Sequence, residues 1–538
     1  MFFVLLWIAT VSTAVFWVAM HAAWIGRNAA RPVRHLLLII ELLVPLYVFG
    51  ALVVGTTKLK LTTSFEPTWL GYAWSQFLAF LAGAAIVLYL GRRREPASRP
   101  VAAGWRVWLL ALAWIIAGVI WSLLLRHMDR VALARYADAL SDARSRYLAN
   151  MTPSTAESTA AARLYESAFA RLSGDPDTGI KNLDRIGSAD FDANDPTTVA
   201  YLGREQSTIA YLRQVAAMQA CRFEQDTADP DINSYCPDGL QERQAAVLLG
   251  LDAREEAARG RVASAMTDVN AAFAMARNIG QRPFMVQGLI GAGTDDLGCR
   301  ALEAILPAVK TKSDLAPLRL SEMPPLSGAF QQALRGEEWF QITLLDTTIR
   351  TLAPARANTP SGNLPDLMPL GAAPRAYVRV FYFNVDPTVQ YMRTIEDYSV
   401  QPYHEIRNRL RQAEGLAPNL GFGALFAPAG EKALAAAERA EATELCARVA
   451  VAMTRYRLDH GTLPARLDQL VPAYLDAIPV DPYDGNPLRL TTADDSSIIY
   501  SIGPDGVDNG GIEINNQTGL GDIIFTLKPA TPTATSQP

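Results

Sequence analysis

Four long apolar stretches near the start of the chain constrain its fold more than any other feature of the sequence. They run from Met1 to Ile25, Leu36 to Thr57, Trp69 to Leu90 and Val107 to Leu125. Each is close to the ~20 residues that an α-helix needs to cross the apolar core of a bilayer. The first has no Lys or Arg ahead of it and no small-residue cleavage site, which indicates a retained span and not a signal peptide. The sequence therefore predicts four transmembrane helices.

The loops between these stretches predict an orientation. Residues 26–35 and 91–106 are rich in arginine, and short loops rich in Lys and Arg stay on the cytoplasmic side. Four crossings then place both termini outside. We expect a protein of the bacterial inner (cytoplasmic) membrane, embedded in the lipid bilayer, with a large extracytoplasmic C-terminal region.

Charge is divided unevenly along the chain. Through Arg130 there are twelve Lys or Arg and four Asp or Glu, a net charge of +8. Because the whole chain has a net charge of -5, the residues after Arg130 carry -13. Such an acidic region repels polyanions, which argues against nucleic acid as a partner.

The middle of the chain has a helical pattern. Ala and Leu recur at helical spacing between Thr197 and Leu306, as in one tetratricopeptide-like helix pair, but no second copy follows at a fixed period. We therefore prefer an irregular α-helical bundle to a repeat array. A further helix is predicted after Ser327 through Leu352, and the Pro-rich residues beyond it are predicted to be a linker.

The cysteines leave two alternatives open. Cys221 and Cys236 are close enough in sequence to form a disulfide, as is common in exported proteins. The other alternative is that these two, with Cys299 and Cys446, are free buried thiols. There is no CxxC pair that would indicate a metal or redox motif.

The end of the chain contains an ordered series of motifs. Apolar side chains at Leu445, Val449, Ala452, Met453 and Tyr456 form one face of a predicted helix, which Gly461 is expected to end. The motifs that follow are His460-Gly-Thr-Leu-Pro, Leu467-Asp-Gln-Leu-Val-Pro, Asp481-Pro-Tyr-Asp-Gly and Tyr500-Ser-Ile-Gly-Pro-Asp-Gly. Short antiparallel strands are predicted at Leu488 to Thr491, Ser497 to Ser501 and Ile523 to Leu527.

In this order, the motifs resemble the globular end of the major pseudopilins of type II secretion, over residues Ala442 to Leu527. The resemblance implies a small α+β module whose last loop binds Ca²⁺. The positions that match are Ser501, Asp505 and Asp508, with Asp522 as a further candidate ligand. Calcium prefers six to eight oxygen ligands, which carboxylates, a hydroxyl and backbone carbonyls can supply. The alternative is a metal-free turn, because Asp, Asn and Gly are also the ordinary residues of tight turns.

The chain also departs from pseudopilins, which begin with a short leader, a Gly-Phe cleavage junction and one apolar helix with an early Glu. Here Gly421-Phe422 precedes the terminal helix, Phe426 stands where that Glu is expected, and no apolar span follows. We therefore do not expect pilin-type processing or polymerisation. The whole arrangement resembles bacterial multi-span membrane proteins that carry this module, a group with no established activity.

The predicted fold class is a membrane protein with four transmembrane α-helices, then a mainly α-helical extracytoplasmic region and a small α+β pseudopilin-like C-terminal module. The expected domains are a transmembrane anchor at 1–127, the helical region at 128–353, a linker and irregular or helical connector at 354–429, the module at 430–528 and a disordered tail at 529–538.

The leading functional hypothesis is a non-enzymatic binding or scaffolding role toward other envelope proteins, with secretion or pilus-type machinery as a natural partner. One alternative is an envelope hydrolase that uses a carboxylate pair from Glu337, Glu338 and Glu405, although such surface carboxylates are usually only solvated. Another is an ion-linked sensor or transporter in which His21 and Glu41 act within the membrane, although both are near enough to the interface to have a structural role. No catalytic motif occurs in a supporting context.

Overall fold

The computed structural model describes part of the second of two units into which the chain divides, Met128–Pro538. The described residues are 131, 134–172, 186–188, 191–218, 220–223, 238–352, 385–416, 430–515 and 517–529.

The predicted fold class and location are wrong on this structure. In the ranges just given, no helix is both long and apolar enough to cross a membrane. The helices Leu326–Leu352 and Gly430–His460 have the required length, but charged residues interrupt both. The described chain is instead mostly helical with a three-stranded sheet. The four apolar stretches, with His21 and Glu41, lie outside the described residues, and we carry neither the membrane class nor the inner-membrane location further.

Helices account for most of the described residues. In chain order they are 134–149 (α1), Ala156–Phe169 (α2), Pro196–Arg204 (α3), Gln206–Ala216 (α4), Gly239–Ala258 (α5), Val262–Gly280 (α6), Met285–Ile305 (α7), Leu326–Leu352 (α8), Val385–Tyr398 (α9), Tyr403–Leu416 (α10) and Gly430–His460 (α11). The helical pattern predicted for the middle of the chain is confirmed, and so is the helix after Ser327.

Local sequence explains where several helices begin and end. The carboxylate of Asp195 accepts the N–H of Thr198 at 2.9 Å and caps α3, whose first residue is Pro196. At the other end of the chain, Gly461 has a φ of +80° directly after α11. That left-handed conformation favours glycine and ends the helix, as predicted.

Helices α5, α6 and α7 pack against one another at the centre of a helical body formed by α2 to α7. Glycine allows the close approach of α6 and α7. A Cβ atom at Gly291 would lie 2.7 Å from the carbonyl oxygen of Ala276, and one at Gly298 would lie 3.1 Å from the ring of Phe273. Helices α6 and α7 therefore form a tightly packed pair.

The three strands form an antiparallel sheet in the order β1-β2-β3. They are Arg489–Ala493 (β1), Ser496–Ser501 (β2) and Ile523–Leu527 (β3). Asp494 and Asp495 connect β1 to β2 with φ values of 47° and 64°, a conformation that Asp tolerates better than most residues and that two-residue hairpin turns require. The predicted strands are confirmed to within two residues at each end.

Helix α11 joins this sheet to the helical body. Its residues Cys446 and Val449 belong to the same buried cluster as Leu302 of α7, Ile499 of β2 and Phe525 of β3. The N–H of Thr526 in β3 also donates to the carboxylate of Glu303 in α7 at 2.7 Å. The C-terminal module and the helical body therefore share one hydrophobic core.

Two glycines of α8 provide a matched test of this packing. A Cβ atom at Gly336 would lie 2.2 Å from the Cα of Pro283, whereas one at Gly328 would meet nothing within 4 Å. We expect Gly336→Ala to lower the free energy of unfolding by about 1 to 3 kcal/mol, because the backbone must move. Gly328→Ala should raise it by up to ~1 kcal/mol, because alanine has the higher helix propensity. Denaturant unfolding of the full chain distinguishes them, and equal effects would contradict the packing.

Candidate cation-binding loop

The candidate site is the loop between β2 and β3, residues 502–522. Its path depends on glycines with positive φ, of which Gly511 has +87° and Gly521 has +116°. A Cβ atom at Gly511 would lie 2.7 Å from Cγ2 of Thr491, and one at Gly521 would lie 2.8 Å from the carbonyl oxygen of Glu513. The loop therefore folds back against β1 and against itself, in a form that only glycine permits at these two positions.

Asp505 and Asp522 hold the loop by accepting hydrogen bonds from its backbone. The donors are the N–H groups of Val507 and Gly521 for Asp505, both at 2.9 Å, and those of Asn509 and Gly511 for Asp522, at 3.2 and 2.7 Å. Partial burial acts to raise the pKa of Asp505, but the backbone N–H groups outweigh it and keep that pKa below its ordinary value. Asp522 is fully buried.

Ser501 and Asp508 belong to a different cluster, which centres on Arg489. The Arg489 guanidinium contacts Asp481 at 3.2 Å, Asp484 at 2.5 Å and Asp508 at 3.1 Å. The hydroxyl of Ser501 donates to Asp481 at 2.7 Å. An internal cation therefore already forms an ion pair with Asp508, and the Ser501 hydroxyl is directed at a buried aspartate.

The structure thus separates the four predicted ligands into two pairs. Across the described residues, one group of three acidic, Cys or His side chains has its ligand atoms within 4.8 Å of one another, and it does not include Asp505, Asp508 or Asp522. Asp505 and Asp522 both belong to the glycine-bent loop, where Asn509 donates a hydrogen bond to each of them. Sequence reasoning gave no role to Asp481 or Arg489, although Asp481 begins the Asp-Pro-x-x-Gly motif.

The group of three is Asp252, Glu255 and Glu256 in α5, and arginines neutralise it. Arg213 pairs with Asp252 at 2.7 Å, and Arg261 pairs with Glu256 at 2.6 Å. Arg213 also binds Asp268 of α6, whose pKa burial raises to about 8. These contacts explain the cluster as an ion-pair network between helices.

The carboxylates of the hydrolase hypothesis do not converge. The expectation that Glu337 and Glu338 are solvated is wrong, since both are buried, and burial raises the pKa of each. Glu337 accepts the N–H of Met285 at 2.9 Å, whereas Glu338 binds Arg146 at 2.7 Å. Glu405 is exposed on α10.

The described cysteines are buried. Cys299 and Cys446 are free thiols, and burial raises the pKa of each well above its ordinary value. Cys221 is buried as well, but its predicted disulfide partner Cys236 lies outside the described residues. The disulfide therefore stays a prediction.

A buried carboxyl group that the sequence did not single out faces the module. Glu438 of α11 lies near the buried hydroxyl of Tyr483, which has no hydrogen-bond partner in the described part of the chain. Burial, together with repulsion from Glu441, raises the pKa of Glu438 to about 8. Burial therefore favours the protonated form of this group in the folded protein.

Comparison with known proteins adds no relative to these observations. No family model matches the chain, no characterised protein matches its sequence, and no solved structure matches its fold. The resemblance to pseudopilins stays a prediction from the motifs.

We expect Arg489→Gln to lower the free energy of unfolding by about 2 to 3 kcal/mol, because it leaves the fully buried Asp481 without its counter-charge. Arg466→Gln is the control, since Arg466 and its partner Asp468 are both exposed. Arg466→Gln should lower the free energy of unfolding by less than ~1 kcal/mol. Denaturant unfolding measures both, and equal small losses would show that Arg489 is not required by the cluster.

We expect Glu438→Gln to stabilise the protein at pH 8 but not at pH 5. The pKa of Glu438 rises on folding from 4.5 to about 8, so only the unfolded chain loses the proton between these values. Stability therefore falls by ~1.4 kcal/mol per pH unit as the pH rises through that window. Because glutamine cannot ionise, Glu438→Gln removes this loss of stability at high pH.

Unfolding at the two pH values measures the effect, with the exposed residue change Glu405→Gln as the control. A Glu438→Gln variant with the same stability as the unchanged protein at pH 8 would contradict the raised pKa.

Proposed function

We propose that this chain is a non-enzymatic binding or scaffolding protein, and that calcium stabilises its C-terminal loop through Asp505 and Asp522. The observation that carries the proposal is the burial of Asp522. Its carboxylate accepts two backbone N–H groups, and no basic side chain forms an ion pair with it among the described residues. A buried carboxylate without a counter-charge is costly, and a bound cation removes that cost.

The chemistry of the loop favours calcium over other cations. Residues 501–522 contain no His or Cys, the ligands that zinc and other transition metals prefer. Each carboxylate has about four lone-pair positions, of which hydrogen bonds use two in Asp522 and three in Asp505, where the side-chain amide of Asn509 also donates. Asp505 and Asp522 can therefore contribute oxygen ligands while the loop keeps its shape, and loop carbonyls can supply others.

The binding role is supported by how the loop is presented. The sheet on which it is mounted shares a core with the helical body, so the loop projects from a stable platform. Loops positioned by a rigid scaffold commonly carry recognition residues. Secretion or pilus-type machinery is the proposed partner, on the resemblance of the motifs alone.

The hydrolase hypothesis receives no support from the contacts of its carboxylates. Glu337 and Glu338 bind different partners, and Glu405 is not among the partners of either. We therefore do not propose an activity for them.

We expect calcium to raise the melting temperature of the full chain relative to excess chelator, because a ligand that binds only the folded state stabilises it. Asp522→Asn and Asp505→Asn should each abolish most of that shift. Asp494→Asn is the matched control, since Asp494 is an exposed turn residue of the same module and asparagine tolerates its positive φ. Identical melting in calcium and chelator would refute the calcium site.

A further inference from the structure

Exposed apolar side chains are concentrated in the C-terminal module. In the part of the chain that the structure describes, eight large hydrophobic side chains are exposed, and five of them lie between residues 467 and 528. Three of these five are in the loop itself: Val507, Ile512 and Leu520, which are 57%, 68% and 60% exposed. Single exposed apolar residues are common, but three on one short loop mark an interaction surface.

Hydrogen bonds within the loop bring the backbones of these three residues close together. The Asp505 carboxylate accepts the N–H groups of both Val507 and Gly521, and Gly521 directly follows Leu520. The N–H of Asp522 donates to the carbonyl oxygen of Ile512 at 2.7 Å. Each apolar residue is therefore tied to the Gly521-Asp522 dipeptide, and the loop presents all three from a fixed backbone.

The charge around this surface is strongly negative. Residues 467–528 contain ten Asp or Glu and two Lys or Arg, a net charge of -8. Arg489 is paired with Asp508, and Arg407 of α10 lies near Asp505. Glu513 is exposed beside Ile512 and has no basic partner among the described residues. A partner that covers the apolar residues must therefore bring positive charge to their edge.

We propose that Val507, Ile512 and Leu520 dock a protein segment in which apolar residues are flanked by Lys or Arg. This inference rests on the proposed binding role and assigns it a surface and a partner chemistry. A second copy of the chain that met this surface with its own C-terminal module would oppose one acidic surface to another, and an anionic lipid surface would be repelled in the same way. A basic, apolar protein segment satisfies both features of the loop.

The test uses the full chain with a photo-crosslinking amino acid at Gln517, an exposed residue of the same loop. A second variant of the same chain carries the crosslinker at Val199 instead, which is exposed on α3 of the helical body. Both are irradiated in native cells, and mass spectrometry identifies the crosslinked peptide. We expect an adduct from position 517, but not from 199, with a peptide that contains apolar residues flanked by Lys or Arg.

Variants then test which side chains carry the docking. The combined change Val507→Ser, Ile512→Ser and Leu520→Ser should reduce the adduct about tenfold without lowering the melting temperature, because these side chains are exposed. Glu513→Lys should also reduce the amount of the adduct. Asp476→Lys is the matched control, since Asp476 is an exposed residue of the module outside the loop.

Several outcomes would overturn the proposal: no adduct from position 517, an adduct with another copy or with lipid, a peptide without Lys or Arg, or an adduct that survives the triple change. A partner crosslinked from position 199 alone would reject this surface and leave the binding role standing. The absence of an adduct from both positions would count against this surface and against the binding role. The effect of calcium on melting tests the calcium site separately.

Discussion

The burial of the middle of α11 on every side is the constraint on which the rest of the structure depends. Between Ala442 and Met453 almost every residue is buried, and most are small, which allows close packing on more than one face. Cys446 lies toward Asp481 and Ser501 of the module, whereas Glu444 binds the buried Arg277 of the helical body. One helix therefore belongs to two packing layers, and the loop after β2 is positioned relative to the helical body through it.

A network of buried charges lies at this junction. Arg277 of α6 binds both Asp295 of α7 and Glu444 of α11, and burial, with Glu444 nearby, raises the pKa of Asp295. Removing one member of such a network leaves the other charges buried and unpaired. The resulting loss of folding free energy is larger than the stabilisation that the intact network contributes. These ion pairs therefore oppose any other register between α11 and the helical body, while the apolar contacts supply the stabilisation.

Local sequence patterns predicted the helices and strands well, but not which residues these elements contact. The strands and the end of α11 at Gly461 follow from β-branched residues, turn residues and a glycine, which are local signals. The predicted apolar face of α11 described one of its two buried surfaces, because the small residues of the other, such as Ala447 and Ala450, carry little hydropathy.

Glu337 and Glu338 were misjudged for a related reason: the arginine and backbone N–H groups that bind them come from distant parts of the chain. At the loop, the glycines and aspartates marked the site, but the division of its ligands by Arg489 depends on the pairing of β1 with β2.

The most direct test of the central claim is the location of the cation itself. Crystals of the full chain grown with calcium should show, by anomalous scattering, an ion between the carboxylates of Asp505 and Asp522, at about 2.3 to 2.6 Å from their oxygens. Asp508 should remain with Arg489. A loop without an ion at saturating calcium, or an ion bound by Ser501 and Asp508 in place of Asp522, would contradict the account.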